Sequence, residues 1–202
     1  MFKELKSHIK ELRGYMPDAG RLAILQSLIE YIQEKRDEGE PINLNFVCTH
    51  NSRRSHLSQI WAQAMAAYFD IPKVYSYSGG TEATALFPKV VDTLEGSGFR
   101  INKILEGENP VYAIKYGANS SPIVGFSKTY DAAFNPESNF AAVMTCGHAD
   151  ENCPFIPGAE KRIPMTFDDP KDYDGTELQT QKYRERSLEI ASQLYYVFSK
   201  IV

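Results

Sequence analysis

The stretch Asn43 to Ser55, N-L-N-F-V-C-T-H-N-S-R-R-S, decides the fold. From Asn43 to Val47 the residues alternate as a strand does, and the alternation stops at Cys48. After a polar run to Ser55, apolar residues return at helical spacing through Leu57, Ile60, Trp61, Ala64 and Met65. Strand, polar loop and helix open a βαβ unit, and the pattern recurs downstream. Lys73 to Tyr77 reads as a second short strand, and Pro88 to Leu94 as a helix closed by Gly96-Ser97-Gly98. Phe140 to Thr145 reads as a buried strand. Thr176 to about Ser199 reads as a last helix packing through Leu188, Ile190, Leu194, Tyr195 and Phe198. Such alternation implies an α/β fold, a small, mainly parallel central sheet in a three-layer sandwich.

Outside this unit, Phe2 to about Arg13 and Asp18 to about Arg36 have helical spacing. Gly14 and Pro17 punctuate them, and Asp18 can cap the second. Residues 1–40 are therefore expected to form a helical extension packed on a core domain of residues 41–202. Within that domain, Val111 to Tyr116 and Ile123 to Phe126 flank G-A-N-S-S-P, which suggests a β-hairpin in an insertion at about 108–139. Cys146 to Asp174, rich in Pro, Asp and Gly, reads as a long ordered loop or lid.

The 202 residues are 43% hydrophobic and 24% charged, ordinary for a globular chain. With 22 Lys+Arg against 26 Asp+Glu the formal net charge is −4, so neither nucleic acid nor an anionic membrane is an expected partner. No apolar stretch approaches the roughly 18 to 20 residues that span a bilayer. The opening M-F-K-E-L-K-S-H-I-K has no signal-peptide core, and a cytoplasmic location is expected. Three cysteines are too few for a disulfide scaffold and leave at least one thiol unpaired in a monomer.

A cysteine at a strand end, followed six positions later by Arg54 and then Ser55 at a helix start, can wrap backbone amides around a tetrahedral oxyanion. The oxyanion-binding set is Thr49, His50, Asn51, Ser52, Arg53, Arg54 and Ser55. Arg54 offers a bidentate fork, and Cys48 in that field is expected to have a depressed pKa suited to a nucleophile. Asn51 and Ser52 can hold the loop's shape, and Ser55 can hydrogen-bond the thiolate. The blander reading is a buried strand-end thiol beside a solvated Arg53-Arg54 pair. Further on, F-D-D-P at Phe167 to Pro170 offers two carboxyls as general acid, and the residues alone do not choose between Asp168 and Asp169. The segment C-G-H-A-D-E-N-C-P places Cys146 and Cys153 seven positions apart after a strand, a candidate pair for thiol exchange. Buried thiols, a structural disulfide, or a metal site with His148 compete with it. Without paired C-x-x-C spacing no metal is expected.

C-T-H-N-S-R-R-S resembles the phosphate-binding loop shared by low-molecular-weight protein tyrosine phosphatases and the thioredoxin-coupled arsenate reductases of the same fold. C-G-H-A-D-E-N-C-P followed by F-D-D-P resembles the redox segment of those reductases. The likeness spans roughly residues 43–107 and 140–202. It departs at His50, where relatives usually carry Gly, at Arg53, where many carry Cys, and at Gln59, where a Glu would serve an alkali-cation site with Asn51 and Ser78. The resemblance selects Asp169 as acid and implies reduction of arsenate to arsenite, with Cys48 as nucleophile and Cys146 and Cys153 as resolving thiols. It implies no bound cofactor and reducing equivalents from thioredoxin. One alternative is a tyrosine phosphatase acting on a phosphotyrosine protein through a Cys48 phosphocysteine. A second is a non-catalytic oxyanion-binding or interaction module.

Overall fold

The computed structural model describes residues 1–152 and 155–202. A four-stranded parallel sheet forms its centre, in the order β2-β1-β6-β7. These strands are β1 (Ile42–Cys48), β2 (Val74–Gly80), β6 (Phe140–Met144) and β7 (Ala159–Ile163). The alternation within β1 has a specific use. Leu44 and Phe46 lie in the main core, shared with the helices. Asn45 Nδ2 donates to the Tyr130 carbonyl at 3.1 Å and Asn43 Nδ2 to the Asn139 carbonyl at 3.0 Å. One face of the strand thus packs on helices and the other hydrogen-bonds the carbonyls of an irregular chain segment.

The main core is closed by α1 (Lys3–Glu11), α2 (Ala19–Asp37), α3 (Arg54–Tyr68), α4 (Pro88–Gly96) and α6 (Gln179–Phe198). Asp18 caps α2 through the Arg21 N–H, at 2.8 Å. Trp61 of α3 is fully buried against the edge of Phe99, and its Nε1 donates to Ser187 Oγ of α6 at 2.9 Å. Leu5 and Ile9 of α1 are also fully buried, each contributing about 1.5–3 kcal/mol. The α1 backbone comes so close to Gly98 that an added Cβ there would lie 2.5 Å from Leu5 N, and Gly98 has φ +99°, so glycine is required twice over. A smaller cluster on the other sheet face joins Val47, Ala142 and Met144 to Ala149 of α5 (Gly147–Asn152).

Three expectations need correction. The pair β4 (Val111–Lys115) and β5 (Ile123–Gly125) is antiparallel, but β3 (Arg100–Leu105) joins it in a separate sheet ordered β3-β4-β5. β3 is an edge strand with Ile104 and Leu105 exposed, so it lacks the in-and-out pattern that reveals a strand. Cys146 to Asp174 is not a loop: it holds α5, β7 and a 3-10 turn at Pro170–Tyr173. β7 is hidden in sequence by its charge. Its Glu160 accepts from Tyr31 Oη at 2.8 Å and Lys35 Nζ at 2.9 Å, both on α2, so polar side chains do the docking. Finally, Leu188 is 47% exposed, and α6 packs instead through Tyr183, Ile190, Leu194, Val197 and Phe198.

Candidate active site

Cys48 ends β1 and Arg54 begins α3, so residues 49–53 form the turn between them. Its carbonyls are tied outward. Cys48 O accepts from Thr81 N at 3.1 Å, Thr49 O from Glu82 N at 3.0 Å, and Ser52 O from Phe87 N at 3.1 Å. His50 O accepts from Ser127 Oγ at 2.9 Å and Thr84 Oγ1 at 3.1 Å. Among the described residues, none of the amides of residues 49–53 donates to a protein acceptor, which leaves these N–H groups and the start of α3 to face an anion. The left-handed position in the turn falls on Asn51 (φ 44°), a residue type that tolerates it. His50 has no positive φ, so a side chain is accommodated there, with Nε2 3.0 Å from Glu82 Oε1.

Asn51 also links the turn to the nucleophile. Its Oδ1 accepts from Lys128 N and its Nδ2 donates to Ser55 Oγ, both at 2.9 Å, and Ser55 Oγ lies 3.1 Å from Cys48 Sγ. The thiol is only 4% exposed. Burial pushes it up, Ser55 pulls it down by hydrogen bonding, the nearby Cys146 pushes it up again, and the Arg54 guanidinium opposes; burial prevails. The expected depression of the Cys48 pKa is therefore corrected: in the free protein Cys48 is a thiol whose ionisation is delayed to higher pH. Alkylation of Cys48 by iodoacetamide should accordingly reach half its maximal rate above the ordinary thiol range, and Ser55→Ala should move that midpoint further up. A midpoint in mildly acidic solution would contradict this. His56, behind the turn, is pushed down to about 3 by burial and then by Lys128, so it stays neutral and offers the thiol no charge.

The two arginines divide their work. Arg54 donates from Nη1 to the Phe167 carbonyl at 2.8 Å and from Nη2 to Asp169 Oδ2 at 2.5 Å. Asp168 is turned away, 95% exposed and 3.2 Å from Arg186, so the two adjacent carboxyls are separated by placement. Arg53 points elsewhere: Nε donates to Tyr183 Oη and Nη2 to Asp174 Oδ2, both at 2.6 Å, and its guanidinium covers the Phe87 ring. The guanidinium of Arg53, a member of the expected oxyanion-binding set, is engaged there, and Arg53 retains only its amide for the turn.

Cys146 follows β6 and is 1% exposed; it accepts from Ala149 N at 3.3 Å, and its sulfur lies 3.5 Å from Thr49 Oγ1. Cys48 and Cys146 are both free thiols that share the smaller hydrophobic cluster. Cys153, the expected second resolving thiol, lies outside the described residues. Gln59 is satisfied by neutral partners, accepting from Ser78 Oγ at 2.7 Å and donating to Ser76 O at 3.0 Å. Among the described residues no group of three or more His, Cys, Asp or Glu is placed to hold a metal.

Two supports of the turn were not foreseen. Ser127, which holds the His50 carbonyl, comes from the added segment and carries no local signal. Gly80 does carry one, the Gly-Gly that ends β2. A Cβ on Gly80 would lie 2.6 Å from Thr49 O and 2.8 Å from Asn51 N, backbone atoms of the turn itself. Gly80→Ala should therefore lower Cys48-dependent aryl-phosphate hydrolysis by roughly 10²-fold, the cost of about 1 Å of misplacement. Gly96→Ala, where nothing lies within 4 Å, should leave it near wild type, and equal rates for the two variants would refute the packing argument.

No protein-family model matches the chain. The arsenate reductase of Bacillus subtilis (strain 168) is 30% identical over 141 residues, 70% of this chain and 83% of that protein. Arsenate reductase 2 of a Staphylococcus epidermidis strain is 26% identical over 134 residues, 66% of this chain and 82% of that protein. Among solved structures, a low-molecular-weight phosphotyrosine phosphatase from Vibrio cholerae superposes with a TM-score of 0.53 over 78% of this chain and 94% of that one. At 14% identity that likeness shows the fold alone. The fold is thus that of the low-molecular-weight phosphatases, and the sequence kinship within that fold says that the chain belongs to the arsenate reductase family.

Proposed function

We propose that the arsenate reduction of this family runs here as a three-thiol relay through Cys48, Cys146 and Cys153, with thioredoxin as the electron donor. The carrying observation is the placement of Cys146 Sγ 3.5 Å from the hydroxyl of Thr49, the residue directly after Cys48. Hydrolysis of a phosphate needs one thiol; a second buried beside it is what reduction requires.

The turn amides and Arg54 bind arsenate. An arriving dianion competes with Asp169 for the guanidinium, and the released carboxylate takes up a proton from solvent, which lets it act as acid. Cys48 enters as a thiol, and the incoming dianion is itself a base able to take its proton. Sulfur bonds to arsenic while Asp169 protonates the departing oxygen, which leaves as water. Cys146 then attacks Cys48, two electrons pass to arsenic, and arsenite leaves. Cys153 attacks Cys146, Cys48 is released, and a dithiol donor reduces the Cys146–Cys153 disulfide. A relay of free thiols suits a reducing compartment, in keeping with a cytoplasmic location. No described helix is long and apolar enough to cross a membrane.

Phosphotyrosine hydrolysis is the second reading, because Cys48, Arg54 and Asp169 also suit phosphate. One experiment separates them. Pre-reduced protein mixed with arsenate and no donor should yield about one arsenite per molecule and lose its free thiols in step. Aryl-phosphate hydrolysis with no arsenite would favour the phosphatase.

A further inference from the structure

A buried thiol attacks poorly until its proton is removed, and Cys146 is almost wholly shielded from water. Its sulfur accepts the Ala149 N–H and lies 3.5 Å from Thr49 Oγ1, within reach for its S–H to donate to that hydroxyl. Thr49 Oγ1 in turn lies 3.4 Å from His148 Nδ1. The Thr49 backbone is pinned by Glu82 N and Thr81 Oγ1 on its carbonyl, which fixes the hydroxyl between sulfur and imidazole. His148 is exposed, so its ring can exchange protons with solvent.

We propose that the Thr49 hydroxyl and the His148 imidazole form a proton path that converts Cys146 to thiolate as it attacks. This deepens the reductase reading and rests on it. In the Cys48–arsenic(V) adduct, the Cys146 proton passes to Thr49 Oγ1 as Thr49 gives its own to His148 Nδ1. The thiolate forms a bond to Cys48 Sγ and the sulfur–arsenic bond breaks, leaving its electron pair on arsenic. Arsenic(V) becomes arsenic(III), and the two sulfurs are oxidised to a disulfide. The departing oxyanion takes up one proton returned by His148 and one from solvent, and leaves as arsenous acid. Imidazole suits this exchange because one ring nitrogen can take a proton while the other releases one.

The test is single-turnover arsenite formation by the pre-reduced full chain. His148→Ala should slow it by roughly 100-fold, and added imidazole should restore the rate in proportion to its concentration. Aryl-phosphate hydrolysis by His148→Ala, which does not involve Cys146, should be unchanged. Thr49→Val should also slow arsenite formation, beyond rescue by imidazole, while Thr49→Ser should recover it. A wild-type rate in His148→Ala, or a slow rate that imidazole does not lift, would overturn the proton path alone. Absence of arsenite from the wild-type protein would overturn the reductase reading and the path with it.

Discussion

Replacing Cys48 with Ser should abolish arsenite formation and aryl-phosphate hydrolysis together, each by on the order of 10⁴-fold or more. The reason is the position of the sulfur. Cys48 stands where β1 ends, beneath a turn whose carbonyls are pulled outward, with Ser55 Oγ 3.1 Å away. A hydroxyl in that place holds its proton far more firmly than a thiol and cannot serve as the attacking anion. The turn should survive the change, since its geometry rests on Asn51, Thr84 and Ser127 rather than on the sulfur. Arsenate and phosphate should therefore still bind, as titration calorimetry would report. Loss of both turnovers with binding retained is the expected pair. Appreciable hydrolysis by Cys48→Ser would place the nucleophile elsewhere.

Cys153→Ser should part the two activities. Aryl-phosphate hydrolysis should remain close to wild type, while arsenate reduction should stop after about one arsenite per molecule, with Cys48 and Cys146 joined as a disulfide. Cys146→Ser should stop earlier, before arsenite is released. These outcomes require α5 to yield. It is six residues long, far below the roughly 12–15 at which an isolated helix becomes marginally stable, and it is tied to β7 by Arg162, 2.6 Å from Asp150. Among the described residues, movement of Cys146 away from the start of this helix opens a short element, the Arg162–Asp150 ion pair with the hydrogen bond from Arg162 to the Asp150 carbonyl, and the packing of Ala149. Thiol counting and mass mapping of the disulfide would follow each step. Sustained reduction by Cys153→Ser would remove that residue from the relay.

The features that proved legible in the sequence are local ones. β1, the turn and α3 occupy one continuous stretch whose alternation, polar break and helical spacing each reflect neighbours in the chain. What stayed hidden depends on distant partners. Arg53 reads as part of the oxyanion-binding set, yet its guanidinium pairs with Asp174 and Tyr183, more than a hundred residues downstream. β7 reads as loop because Glu160 and Lys161 reach α2 through charge rather than through apolar packing. The Cys48 thiol follows the same rule. Its neighbouring guanidinium is visible in sequence, but the burial that outweighs it is set by the whole fold. Asn43 and Asn45 show the reverse case, where a visible alternation gained its meaning only once the segment around Tyr130 and Asn139 was seen to lie across them.

The most direct test of the relay is NADPH oxidation by the purified protein with thioredoxin and thioredoxin reductase, measured with and without arsenate. Oxidation that is sustained, depends on arsenate and is lost in Cys153→Ser is the predicted result. No arsenate-dependent oxidation, from a preparation that hydrolyses aryl phosphates briskly, would contradict the relay and leave Cys48, Arg54 and Asp169 as the machinery of a phosphatase.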